Sequence, residues 1–163
     1  MIVSILKKIR PRQLFRLAGM FFRHPLYAFP TIRATIKCMR ISENKYGKAH
    51  HGDNRPNAFR HALWNVLITR YCLAWRKGMA RALSWTEKIT TWHESFSKND
   101  PLATAMDLHN NKIGRSYVAE TFEASEISLI DWITEKADKA QRVTSVSDID
   151  LYPSELVFIS ESC

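Results

Sequence analysis

Apolar residues recur at three- and four-residue intervals along most of this chain, the spacing of helices with one inward face. Ile2, Ile5, Leu6 and Ile9 form one stripe and Leu14, Leu17, Ala18 and Phe21 another, which predicts one or two short helices over 1–23, broken near Pro11. After His24-Pro25 and Phe29-Pro30 the spacing predicts a helix over 31–46, with Ile32, Ala34, Ile36 and Met39 inward. Residues 47–56, with two glycines, Asp53, Asn54 and Pro56, predict a loop. Helices are then expected over 57–77, stopped at Gly78; from Ala80 or Ser84 to Phe96; over 101–122, capped by Asn99 or Asp100 with Pro101 in its first turn; and from Ser125 to Arg142, with Ile127, Ile130, Ile133 and Ala137 inward. Beyond that, Leu156-Val157-Phe158-Ile159 lies among Asp148, Asp150, Glu155 and Glu161. It reads as a short strand or extended segment over the domain, with acids able to face the basic N-terminus.

The expected fold is all-α: a compact single-domain helical bundle with a basic amphipathic N-terminal helix and an extended acidic C-terminal tail. The divisions are 1–30 for the basic segment, 31–142 for the helical domain and 143–163 for the tail packed on it. At 163 residues one domain with a real core is the natural size. Scarce glycine favours helix over sheet.

Three polar blocks interrupt the apolar pattern: Asn57-Ala58-Phe59-Arg60-His61-Ala62-Leu63-Trp64-Asn65, Trp92-His93-Glu94, and Met106-Asp107-Leu108-His109-Asn110-Asn111. Each sets groups that need hydrogen bonds beside residues that favour burial, so all three are expected to meet in one shared pocket. On the first helix His61 aligns with Asn57 and Asn65. On the second, Thr86, Thr90 and His93 share a stripe with Glu94 beside it. On the third, Asp107, Asn110, Asn111 and Gly114 share a face, whereas His109 lies about 200° round from Asp107 and is assigned a structural or supporting role. His61, His93, Glu94 and Asp107 are therefore the expected metal ligands, a mixed imidazole and carboxylate set suited to zinc, manganese or iron. Glu94, His93 and Asn111 are the catalytic candidates; Arg60, Lys112 and Arg115 are the candidates for binding a phosphate. His50, His51 and Asp53 read as loop residues first and as an additional metal group second.

Charge divides the chain unevenly. Residues 1–42 carry nine Lys and Arg and no acid, leaving fifteen basic against sixteen acidic side chains in the remainder. The basic segment suits an anionic membrane surface or an acidic partner, and less well nucleic acid. Arg16 and Arg23 interrupt the apolar runs, so none reaches the roughly twenty residues of a membrane span. A secretory leader is also a poor match. Cys38, Cys72 and Cys163 are odd in number, with no Cys-x-x-Cys. No disulfide-linked partner is expected, and a cytoplasmic location at the inner face of the membrane fits best.

The quoted blocks together resemble an uncharacterised family of small bacterial domains, over about residues 30–160. That resemblance implies a bacterial origin and a shared polar site. The order of a helical His, a His-acid pair and a later helical Asp is also similar to the HD-domain phosphohydrolases, in which such residues bind metal. Carried over, these are His61, His93 with Glu94, and Asp107, with Glu94 standing where that family has Asp. The leading expectation is a metal-dependent hydrolase acting on a phosphoester of a lipid headgroup or nucleotide. The alternatives are a non-enzymatic helical adaptor whose polar blocks form a structural network, and a nuclease or antibacterial toxin domain.

Overall fold

The computed structural model describes residues 11–95 and 100–161. The expected helix over 1–10, the Asn99 cap and Cys163 lie outside the described residues. Within them the chain forms seven α-helices: α1 Pro11–Arg23, α2 Pro25–Tyr46, α3 Arg55–Trp75, α4 Met79–Glu94, α5 Pro101–Ser116, α6 Val118–Thr121 and α7 Glu126–Asp138. Two short strands, β1 Gln141–Arg142 and β2 Val157–Phe158, pair in parallel.

Local chemistry sets most boundaries. The side chains of Asn54, Asp100 and Ser125 accept hydrogen bonds from the backbone N–H groups of Asn57, Leu102 and Ser128, capping α3, α5 and α7. Gly47 ends α2 at φ 55°, a left-handed conformation that suits glycine. Pro30, expected to precede a helix, instead lies inside α2. The lost backbone bond is tolerated because Tyr27, Pro30, Thr31, Ala34 and Cys38 are buried, on the helix that packs most extensively on α3. Ala34, Ile133 and Ala137 are buried as expected, whereas Ile32 and, on α7, Ile127 are exposed and Cys38 and Leu129 are buried in addition.

α3 is the axis of the bundle. It packs against α2, α4, α5 and α7, and from Asn57 to Thr69 all but Arg60 and Trp64 are buried, so this stretch has no solvent face for Asn57, His61 and Asn65. Phe59, Leu63, Val66, Leu67 and Ile68 of α3 join Trp85, Ile89, Ile113, Leu129, Ile133 and Phe158 in the main core. α5 crosses α3 at backbone contact distance: a Cβ on Gly114 would lie 2.7 Å from the Cα and 2.8 Å from the carbonyl oxygen of Ala62. This crossing carries the Asp107 block to the His61 block.

The tail is a second small layer. Met106 of α5 packs with Val143, Ile149 and Val157. Asn110 pairs with the backbone of Val157 in both directions, its Nδ2 donating to the carbonyl at 2.8 Å and its Oδ1 accepting from the N–H at 2.9 Å. The tail acids meet neighbours other than the N-terminal helix: Glu161 pairs with Arg55, and Asp148 accepts bonds from Thr144 and Ser145. Cys38 and Cys72 are buried free thiols, each pushed up to about 12 by burial.

Candidate functional site

α3, α4 and α5 each contribute to one buried polar cluster. On α4 the inward residues are Thr86, Thr90 and Glu94, four apart and on one face. That register turns Glu94 inward, at 4 % exposure, where the sequence spacing favoured His93. His61, Glu94 and Asp107 are all buried and offer one ligand atom each within 4.8 Å of the others. His93, also expected as a ligand, is not in this set; it stands beside the cluster, edge-on to Trp64 at 5.2 Å between ring centroids.

Asn111 is the hub. Its Oδ1 accepts from Asn65 Nδ2 at 2.7 Å and faces His61 Nδ1 at 3.1 Å, while its Nδ2 donates to Glu94 Oε1 at 3.0 Å. The network continues outward, because Asn65 Oδ1 accepts from Thr90 and, at 3.4 Å, from Arg115. The amide therefore holds both the imidazole and the carboxylate in place.

Protonation follows from this geometry. Burial, with the nearby Arg60 charge, lowers His61 to about 3, so the ring is neutral near pH 7. With Nδ1 as the donor to Asn111, Nε2 carries the lone pair, and Arg60 Nη2 donates to it at 2.8 Å. Asp107 Oδ1 lies 3.2 Å from the same Nε2. A neutral His61 makes this contact no ion pair. It is two lone-pair atoms facing each other, and Asp107 Oδ1 is a buried acceptor with no hydrogen-bond donor. Burial pushes Asp107 up to about 6, partly offset by Arg60; burial and then the Asp107 charge push Glu94 up to about 7. Burial lowers His93 to about 4, with His61 and Arg60 adding to the effect. Two buried carboxyl groups and a neutral imidazole with converging lone pairs are a donor set that a divalent cation would satisfy.

The anion-binding candidates separate. Arg60 is within the cluster and also donates from Nη1 to the His50 carbonyl at 2.7 Å. Arg115 pairs with Glu87 at 3.1 Å and lines a groove of about 440 Å³ with Ala80, Leu83, Ser84 and Ser116. Lys112, expected at the site, is exposed on the side of α5 that carries His109, whose pKa its charge helps to lower. His109 is structural, hydrogen-bonded to the Glu155 carbonyl at 2.8 Å. Asn57, expected to align with His61, instead donates to the Gly52 carbonyl and secures the preceding loop. That loop brings Asp53 close enough to Asp107 for the latter's charge to raise its pKa, after burial. Sequence reasoning groups Asp53 with the loop histidines, and no spacing rule links it to a residue so distant along the chain.

No curated protein and no solved structure matches the chain. A family model described as a domain of unknown function, DUF6973, matches residues 18–141, which include every residue of the cluster. The polar centre between α3, α4 and α5 thus lies wholly within the matched region, and the chain belongs to the DUF6973 family.

Proposed function

We propose that this protein is a metal-dependent hydrolase acting on a phosphoester, with His61, Glu94 and Asp107 as the ligands of one divalent ion, zinc, manganese or iron. The observation that carries the reading is Asp107 Oδ1: a buried acceptor without a donor, 3.2 Å from an imidazole lone pair and beside a second buried carboxyl group. An ion bound there supplies Lewis acidity, which makes a water nucleophilic near neutral pH and offsets charge on a phosphoryl group. Asn111 holds His61 in the tautomer whose Nε2 faces Asp107. Arg60 donates to Nε2, so an ion taking that lone pair would have to displace it, and the guanidinium would then be able to meet a phosphate oxygen. Without an ion, burial raises Glu94 to about 7, and a bound ion would instead hold it as the carboxylate, so binding should release a proton near neutrality.

The same Arg60 contact favours a second reading, in which the guanidinium completes a purely structural network and the protein is a helical adaptor. One experiment separates them. Full-length protein purified without chelator is assayed for metal and for hydrolysis of bis-p-nitrophenyl phosphate and of phospholipids. The hydrolase reading expects bound metal that Asp107→Asn reduces and activity that Glu94→Gln removes. Metal content indifferent to Asp107→Asn, with no hydrolysis, overturns the hydrolase reading and leaves the structural network.

We also propose that the N-terminal helices rest on an anionic membrane surface. No described helix is long and apolar enough to cross a membrane. On α1 and α2, however, Phe15, Phe22 and Phe29 follow one another at seven-residue spacing, at 78 %, 89 % and 55 % exposure, and the Phe29 ring lies tilted against exposed Trp75, centroids 5.2 Å apart. Arg12, Arg16 and Arg23 flank this stripe with no acid nearby in sequence. Aromatic side chains inserted among headgroups, with arginines on the phosphates, give reversible attachment.

A further inference from the structure

Among the described residues a second group of convergent donors lies outside the His61 cluster: Glu43 near the end of α2, and His50 and His51 in the 3₁₀ turn Gly47–His51 that follows. One ligand atom from each lies within 4.8 Å of the others. We propose that Glu43, His50 and His51 form a second metal site, for an imidazole-favouring divalent ion such as Zn²⁺, that clasps the end of α2 to the turn leading into α3. The proposal does not depend on the function assigned to His61.

The sequence forces the three together. Gly47, at φ 55°, turns the chain sharply, and the 3₁₀ turn then returns His50 to Glu43, whose Oε2 lies 3.1 Å from His50 Nε2. The rings of His50 and His51 follow with centroids 4.0 Å apart. His50 is 0 % exposed, and its Nδ1 is a buried nitrogen with no hydrogen-bond partner. Nε2 faces Glu43, so Nε2 is the nitrogen that an ion beside Glu43 would take, with the ring proton then on Nδ1. Burial of the ring fixes its orientation and so presents Nε2 to the group with little further ordering. Glu43 and His51 are exposed, so an ion reaches the group from solvent and completes its shell with water. Two imidazoles and one carboxylate favour zinc over magnesium or calcium, which take oxygen donors.

Arg60 links the two clusters, donating to the His50 carbonyl from Nη1 and to His61 Nε2 from Nη2.

The test is zinc titration of the tag-free full chain by calorimetry, with Co²⁺ absorption as a second readout, in wild type, Asp107→Asn, Glu43→Gln/His51→Ala and the triple variant. Asp107→Asn is expected to keep one equivalent per chain, and adding Glu43→Gln/His51→Ala to remove it. Both outer side chains are solvent-exposed, and thermal unfolding without metal checks that their replacement leaves the fold intact. If Asp107→Asn binds no zinc, or binds it equally with and without the outer substitutions, the second site is excluded. A wild-type chain that binds one equivalent, lost only in Glu43→Gln/His51→Ala, supports the outer site while overturning the inner one.

Discussion

Glu94 and Asp107 are 4 % exposed at the centre of the bundle, while Phe15 and Phe22 on α1 are 78 % and 89 % exposed at its edge. Both regions invert the usual distribution of residues, in opposite senses. In the centre, helices on three sides exclude water from groups that water would otherwise satisfy, and the arrangement holds because Asn65, Thr90 and Asn111 take up nearly every hydrogen bond. At the edge no described residue covers the two phenylalanines, and the arginines of α1 keep that side soluble. The centre is specified by directional bonds, so single substitutions should be costly there. The edge is specified only by which residues face out, so substitutions should leave the fold alone and change binding.

Within the centre, the crossing of α3 and α5 tolerates least. Gly114→Ala would drive a methyl group into the Ala62 backbone and force the helices apart. It should cost about 3 kcal/mol, near the upper end for overpacking, and weaken metal binding with it, as read by chemical denaturation and zinc titration. Unchanged stability would show that the crossing is looser than its geometry states. Asn111→Ala tests the hub directly. It leaves His61, Asn65 and Glu94 each short of a partner and should cost about 2–3 kcal/mol in chelator, within the range for buried unsatisfied groups.

The Glu94 carboxyl group sharpens the same contrast through pH. Its folded-state value is raised to about 7 from 4.5, so the folded protein holds a proton there that the unfolded chain releases. Its contribution to stability is present below about 4.5 and is lost as pH rises through about 7. Compared with Glu94→Gln in chelator, wild type should lose up to a few kcal/mol across that window, since each tenfold change in proton affinity is worth about 1.4 kcal/mol. Added zinc should reverse the trend by favouring the ionised carboxylate. A stability difference that does not vary between acid and neutral pH would mean that Glu94 titrates as if exposed.

The smallest effect on the fold is expected at the edge. Phe15→Ser/Phe22→Ser should change stability by less than about 0.5 kcal/mol. The same double variant should nonetheless lose most of its co-sedimentation with anionic vesicles at low salt. Equal binding of wild type and variant would assign those phenylalanines to another partner.

Helix positions are legible in the sequence because their signals are local. Asp100-Pro101, Ser125, Gly47 and Gly78 act within one turn of the chain, and the helices begin or stop beside them. The membership of His61, Glu94, Asp107 and Asn111 in one cluster is legible too, because polar groups on apolar helices must find one another. Phase is not legible. Ala34 is buried as expected, but Thr31 and Cys38 share its face in place of Ile32, and only packing on α3 selects them. Glu94 and His93 differ by one residue, about 100° of helix, and the choice falls to Glu94 because Asn111 of another helix offers it a donor. The sequence by itself determined where the helices lie and which chemistry is buried. The tertiary structure decided which face turns inward and which groups touch, because helical periodicity fixes spacing along one helix and carries no information about the neighbour across from it.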